Sequence, residues 1–258
     1  MSQKRVNLLN VLIDDIPIAE AVRRSKNYLR GEGMACIVTP NLEMLSCSQK
    51  NRDLRRALNR ATLSLPDGFS LHIVAQILGK KMKNTVAGID FGKALLKLCA
   101  KEGYGVFLLG GKRGVALRAA KNLVCEMPSL KICGAHHGYF PPNDTEALIK
   151  RIDSSGADVV FVCLGSPKQE LFADYARKKL EKAKILVCLG GSIDVWSGNI
   201  KRAPVMWREC HLEWLWRVIK EPKRVSRVIK SIDVLGTAMR INFKEKRFLW
   251  NNGSLRDI

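Results

Sequence analysis

Short, unbroken apolar runs alternate along this chain with longer stretches in which apolar positions return at helical spacing. The runs read as strands: Ala35 to Val38, Thr62 to Leu65, Val106 to Leu109, Lys131 to Cys133, Val159 to Leu164 and Ile185 to Leu189. Between them Leu54 to Arg60, Phe91 to Lys101, Val115 to Cys125, Thr145 to Ile152 and Glu170 to Lys182 read as helices. Strands that alternate with helices predict an α/β fold built on a parallel sheet. Turn chemistry marks the joints at Gly110-Gly111, Pro141-Pro142-Asn143-Asp144 and Gly190-Gly191.

The alternation stops near residue 195. All five tryptophans (Trp196, Trp207, Trp214, Trp216 and Trp250) lie beyond it, and residues 201–258 hold 14 Lys/Arg against 6 Asp/Glu, a net +8. The expected organisation is therefore an α/β core over residues 1–195 and a basic, Trp-rich helical appendage over 196–258. In the appendage Leu212, Leu215, Trp216 and Ile219 recur at helical spacing, and Val225, Val228, Ile229 and Ile232 repeat the pattern after Pro222. Packing on the core explains such stripes. So does a membrane surface, because Arg217, Lys220, Lys223, Arg224, Arg227 and Lys230 flank them and tryptophan suits the headgroup region.

Composition narrows the class. A chain of 258 residues with 47% hydrophobic content is long and apolar enough to bury a full core. Its net charge of +20 favours anionic partners, whether phosphodiesters, nucleoside diphosphates or an acidic bilayer. Val6 to Ile13 after Lys4-Arg5 looks like the start of a signal peptide, but Asn7 and Asn10 interrupt it, Asp14-Asp15 close it and no small-residue cleavage site follows. No apolar run approaches the roughly 20 residues that span a bilayer, so the chain is not expected to cross one. The eight cysteines show no metal-type spacing and read as reduced core thiols of a cytosolic protein.

Candidate chemistry sits where strands end, because loops at the carboxyl edge of a parallel sheet open onto the ligand crevice. Thr39-Pro40-Asn41, with Glu43 close behind, follows the first strand, and Pro66-Asp67-Gly68 follows the second. Each also reads as an N-cap plus turn. Gly165-Ser166-Pro167-Lys168-Gln169-Glu170 leads from a strand into a helix, an arrangement suited to an anion, with Lys168 adding charge. Gly190-Gly191-Ser192-Ile193-Asp194 is a further glycine turn where backbone can approach a phosphate or sugar.

Other motifs carry less. Gly110-Gly111-Lys112-Arg113-Gly114 lacks the G-x-G-x-x-G spacing of a dinucleotide loop. His136-His137 are adjacent, and alternation along a strand would send them to opposite faces. No Asp-x-Asp pair is present; the nearest sequence, Asp144-Thr145-Glu146, reads as a helix cap. Neither a cofactor nor a metal ion is expected, and leaving-group charge would have to be met by cations of the protein.

Nine of these segments, in order, resemble the WecG/TagA/CpsF glycosyltransferase family: Thr39 to Glu43, Pro66 to Gly68, Val86 to Asp90, Val106 to Gly111, His137 to Phe140, Leu164 to Glu170, Gly190 to Asp194, Lys201 to Pro204, and Leu212 through Pro222. The resemblance spans roughly residues 6 to 230. It implies a Rossmann-like core and an inverting transferase that moves N-acetylmannosamine or a related hexosamine from a UDP-sugar to a polyprenyl-diphosphate-linked sugar, in teichoic acid or other cell-surface polysaccharide synthesis. Asp67 matches the proposed general base, Thr39 and Asn41 line the same pocket, and Gln169 matches a pocket glutamine. Gly165, Lys168, Gly190, Gly191, Asp194 and Asp90 fall in segments expected to contact substrate. Arg217, Arg224 and Arg227 match tail arginines thought to stabilise the diphosphate.

The chain departs from the family's pattern twice, with Thr85 where an arginine is usual and Ser70 where a glycine is usual. Lys83, two residues from Thr85, is a candidate replacement for the arginine if that segment is extended. The expected location is cytoplasmic, peripheral on the inner face of the membrane, with an anionic bilayer as partner and self-association left open. Two other classes remain: a lapsed family member acting as a scaffold, and a basic nucleic-acid-binding protein, although no nucleic-acid motif accompanies the charge.

Overall fold

A computed structural model describes residues 5–210, 212–220 and 225–251. It begins with an antiparallel hairpin, β1 (Arg5–Leu8) and β2 (Val11–Asp14), and α1 (Ile18–Arg30). The core follows as β3 (Ala35–Val38), α2 (Leu42–Lys50), α3 (Arg52–Arg60), β4 (Leu63–Ser64), α4 (Ser70–Ile77), α5 (Gly88–Glu102), β5 (Gly105–Gly110), α6 (Val115–Glu126), β6 (Lys131–His136), α7 (Thr145–Ser154), β7 (Val159–Cys163), α8 (Lys168–Ala176), β8 (Ile185–Cys188) and α9 (Ser192–Trp196). Three helices complete the described chain: α10 (Val205–Glu209), α11 (Glu213–Lys220) and α12 (Val225–Asn251). The six core strands form one parallel sheet in the order β4-β3-β8-β7-β5-β6, so the expected α/β architecture is present.

Successive strand residues serve opposite faces. Val106 and Leu108 of β5, Val159 and Phe161 of β7 and Ile185 and Val187 of β8 pack with α1, α5, α6 and α9. Their neighbours Phe107, Leu109, Val160, Val162, Leu186 and Cys188 pack with α2, α3, α4, α7 and α8. Both faces are covered, which is why the strands read as continuous apolar runs.

The segment that looked like a broken signal sequence is the hairpin. Leu9 (φ 52°) and Asn10 (φ 65°) form its two-residue turn, the geometry whose twist suits a hairpin. Asn10 N–H donates to Asn7 Oδ1, and Asn59 bridges the turn by accepting from Leu12 N–H and donating to Asn10 C=O. Asp14 then fastens the hairpin to the sheet. Its carboxylate, 1% exposed, accepts from Ser64 N–H at 2.7 Å and from Arg5 Nε at 3.1 Å, and Arg5 also donates to the carbonyls of Ala61 and Thr62.

The tail is not detached from the core. Val234 and Ala238 of α12 are buried in the same apolar cluster as Met44 and Leu45 of α2 and Leu71 and Val74 of α4. Of the residues that predicted a stripe there, Val225, Ile229 and Ile232 are 43%, 60% and 54% exposed. Among the described residues no helix is long and apolar enough to cross a membrane.

Removing Asp14 leaves Arg5 and Ser64 N–H without their shared acceptor, and breaking a buried charged pair is costly. Asp14→Ala is therefore expected to lower stability by about 3 kcal/mol, read as a fall in the urea midpoint; an unchanged midpoint would show that the hairpin is held by apolar packing alone.

Candidate active site

Helices leave the four central strands, β3, β8, β7 and β5, on alternating sides of the sheet. The chain turns from β3 and β7 toward one face and from β8 and β5 toward the other. Loops that part in this way leave a crevice at the carboxyl edge. A cavity of about 480 Å³ opens there, lined on the core side by Asn41, Glu43, Asp67, Ser70, Thr85 and Gly88, with Leu189 and Ser192 at the end of β8. Its opposite wall comes from the tail: Arg208 of α10, Glu213, Trp214 and Val218 of α11, and Ser231, Ile232 and Leu235 of α12.

The polar residues at the strand ends have distinct tasks. Asn41 is the N-cap of α2, its side-chain oxygen accepting from Met44 N–H, so the plain capping reading holds even though Asn41 also lines the cavity. Asp67 differs. Helix α4 begins after Phe69 with no side-chain cap, and Asp67 Oδ1 instead lies 3.4 Å from Gly88 N at the start of α5. The positive end of this 15-residue helix favours negative charge at that position. Close approach here depends on Gly88, whose added Cβ would stand 3.0 Å from Thr39 Oγ1.

Thr39 and Gln169 lie beneath the cavity and are not among its lining residues. Thr39, 5% exposed, donates to Cys188 C=O and so ties β3 to β8. Gln169, 3% exposed, accepts from Gly190 N–H at 2.9 Å and donates to Glu170 Oε1 at 2.7 Å, fixing the turn that carries Gly190 and Gly191 into α9. Gly165 (φ 75°) and exposed Lys168 open α8 alongside, and Gly165 C=O accepts from Gln169 N–H. Asp194 sits in α9, where its carbonyl receives Ser197 Oγ and Ile200 N–H. Asp90 is held in a two-pronged ion pair with Arg202, at 2.5 and 2.7 Å, and Glu213 lies 3.7 Å from the same guanidinium. Of the tail arginines, Arg224 lies outside the described residues, and only the helical backbone of Arg217 and Arg227 is described.

Several expectations need correction. Thr85 reaches the cavity, but Lys83 is exposed and absent from its lining; the segment forms no strand, and Lys83 N–H donates to Asp15. His136 and His137 do not diverge: His137 lies past the end of β6, where strand alternation no longer applies, and the ring centroids are 4.4 Å apart with the planes tilted by 31°. Asp144 stands at the start of α7 without a capping bond, while Glu146 pairs with Lys179 at 2.6 Å. Among the described residues no group of three or more His, Cys, Asp or Glu side chains is placed to hold a metal ion. All eight cysteines are free thiols, and burial pushes Cys99 and Cys163 up to about 12, away from the nucleophilic thiolate. Arg208 was missed because its neighbours in sequence carry no motif; only folding brings it opposite Asp67.

The fold and the cavity define an α/β protein with a cavity at the carboxyl edge of its parallel sheet. The chain belongs to the WecG/TagA/CpsF glycosyltransferase family, described as the Glycosyl transferase WecG/TagA/CpsF family, whose profile matches residues 6–248. Its class of activity is glycosyl transfer.

Burial raises the pKa of Glu170 above its usual value of 4.5, against the lowering effect of Gln169 and Ser166. The folded state thus retains a proton that the unfolded chain has lost, and stability falls as pH climbs above the ordinary carboxylate range. Glu170→Gln, neutral throughout, is expected to be the more stable protein at neutral pH, with the gain growing from about pH 4 upward. Urea midpoints measured against pH test this, and parallel profiles for the two proteins would contradict it.

Proposed function

We propose that this protein is an inverting hexosaminyltransferase that moves N-acetylmannosamine or a related sugar from a UDP-sugar to a polyprenyl-diphosphate-linked sugar. The reading rests on the family and on one observation above all: the Asp67 carboxylate lines a cavity walled by both the sheet edge and the tail helices. Inversion requires one displacement. The acceptor hydroxyl gives its proton to Asp67 as its oxygen bonds to the anomeric carbon, and the bond from that carbon to the diphosphate breaks with the electron pair leaving on UDP. Asn41 borders the reacting groups, whereas Thr39 and Gln169 act from below by holding the strand ends.

The lipid-linked acceptor requires the enzyme to work at a bilayer, peripherally on its inner face. The exposed apolar side chains of the tail support this: Met206, Ile219, Ile229, Met239 and Phe243 are 56–70% exposed, in a segment rich in Lys and Arg. Such a surface suits the headgroup region of an anionic membrane.

Two measurements test these claims. With a short-chain lipid-diphosphate GlcNAc and a panel of UDP-sugars, UDP release should require both substrates, and Asp67→Asn should lose about 100-fold or more in turnover while keeping its fold; near-normal turnover would move the base elsewhere. Cosedimentation with anionic liposomes tests docking. A triple variant, Ile229→Ser with Met239→Ser and Phe243→Ser, is preferable to truncation because it leaves Val234 and Ala238 covering the core. It should bind markedly less than the parent, and equal binding would overturn the docking surface.

A further inference from the structure

Arg208 is the one basic side chain among the described residues that line the cavity. Its Nε is buried with no hydrogen-bond partner among the described residues. An arginine cannot relieve this by losing its charge, and a buried donor without an acceptor is costly. Among the described residues Arg208 forms no ion pair, although the carboxylates of Glu43, Asp67 and Glu213 also line the cavity. Glu213 lies 3.7 Å from Arg202, whose other contacts are the two oxygens of Asp90, and Asp67 Oδ1 lies toward Gly88 N.

The cavity therefore holds a fixed cation with unfilled donor capacity on the wall opposite the strand ends. We propose that Arg208 is an anion-holding residue of this cavity and binds a diphosphate of the substrates. A planar guanidinium meets phosphoryl oxygens through two parallel hydrogen bonds, and a diphosphate offers acceptors of the required charge. The assignment rests on the transferase reading and adds a cation that the chain itself supplies. Two sources present the same chemistry, the nucleoside diphosphate of the donor and the lipid diphosphate of the acceptor.

The test uses the full chain and three probes: inorganic diphosphate, UDP and the short-chain lipid-diphosphate GlcNAc. Arg208→Ala is expected to weaken diphosphate binding by about 10- to 100-fold, the usual effect of losing hydrogen bonds to a charged group. A matching loss for UDP, with the acceptor KM unchanged, places the donor's diphosphate on Arg208. A rise in acceptor KM with UDP affinity unchanged places the lipid's diphosphate there. Unchanged binding of all three probes overturns the assignment and leaves the transferase reading standing. If the parent protein binds none of the probes and releases no UDP, both fall. Arg208→Lys carries the test should the alanine variant fail to fold. It keeps the charge without the two-pronged donor, so a loss of about tenfold is expected, and full affinity contradicts the proposal.

Discussion

The constraint from which the rest of the molecule follows is that the parallel sheet exposes neither face. Because Val160 and Phe161, or Leu186 and Val187, are buried on opposite sides, helices must cover both. The chain meets this demand by leaving the four central strands in alternating directions. The crevice at the carboxyl edge is a geometric result of that parting and not a separate feature. Polar groups accumulate there because residues at strand ends, such as Asn41 and Asp67, lie outside the apolar layer without losing their place on the sheet.

Polar groups near the site divide by depth. Thr39 and Gln169 are buried and satisfied, and their bonds to Cys188 and Gly190 hold β3, β8 and the following turn in register. Asp67 and Arg208 stand at the cavity instead. Charge is arranged accordingly, with Asp67 at the amino end of α5 and Arg208 across from it on the tail. A deep substitution acts through the shape of the turn; one at the lining acts on whatever binds.

The sheet was legible because both-face burial writes each strand as a plain apolar run, and five of the six expected strands agree with the structure to within a residue or two. Lys131 to Cys133 extends further, to His136, because β6 is an edge strand and part of it is polar. The elements that were not read have weak signals for physical reasons. Helix α1 buries Ala21, Ser25 and Leu29, a narrow stripe with two small residues. The hairpin's alternation is blurred because its turn residue Leu9 is itself buried. Asp67 and Asn41 were legible as site candidates because they follow strands directly. Arg208 was not, because its place depends on how the tail folds back over a cavity whose core side is made mostly by residues between Asn41 and Ile89.

That dependence has an energetic consequence. The sheet is held by a large apolar core, whereas the wall carrying Arg208, Glu213 and Trp214 is joined to it by fewer contacts. One is the Asp90–Arg202 pair, in which Asp90 is 45% exposed; such a pair contributes about 1 kcal/mol or less. Another is the buried stripe of Ser231, Val234 and Ala238 on α12, with Leu235 and Ile241 packed beside it against the core. Regions with little buried area open at lower free energy than the core that supports them. Of the cavity's two walls, the strand ends that carry Asp67 therefore rest on the larger buried core.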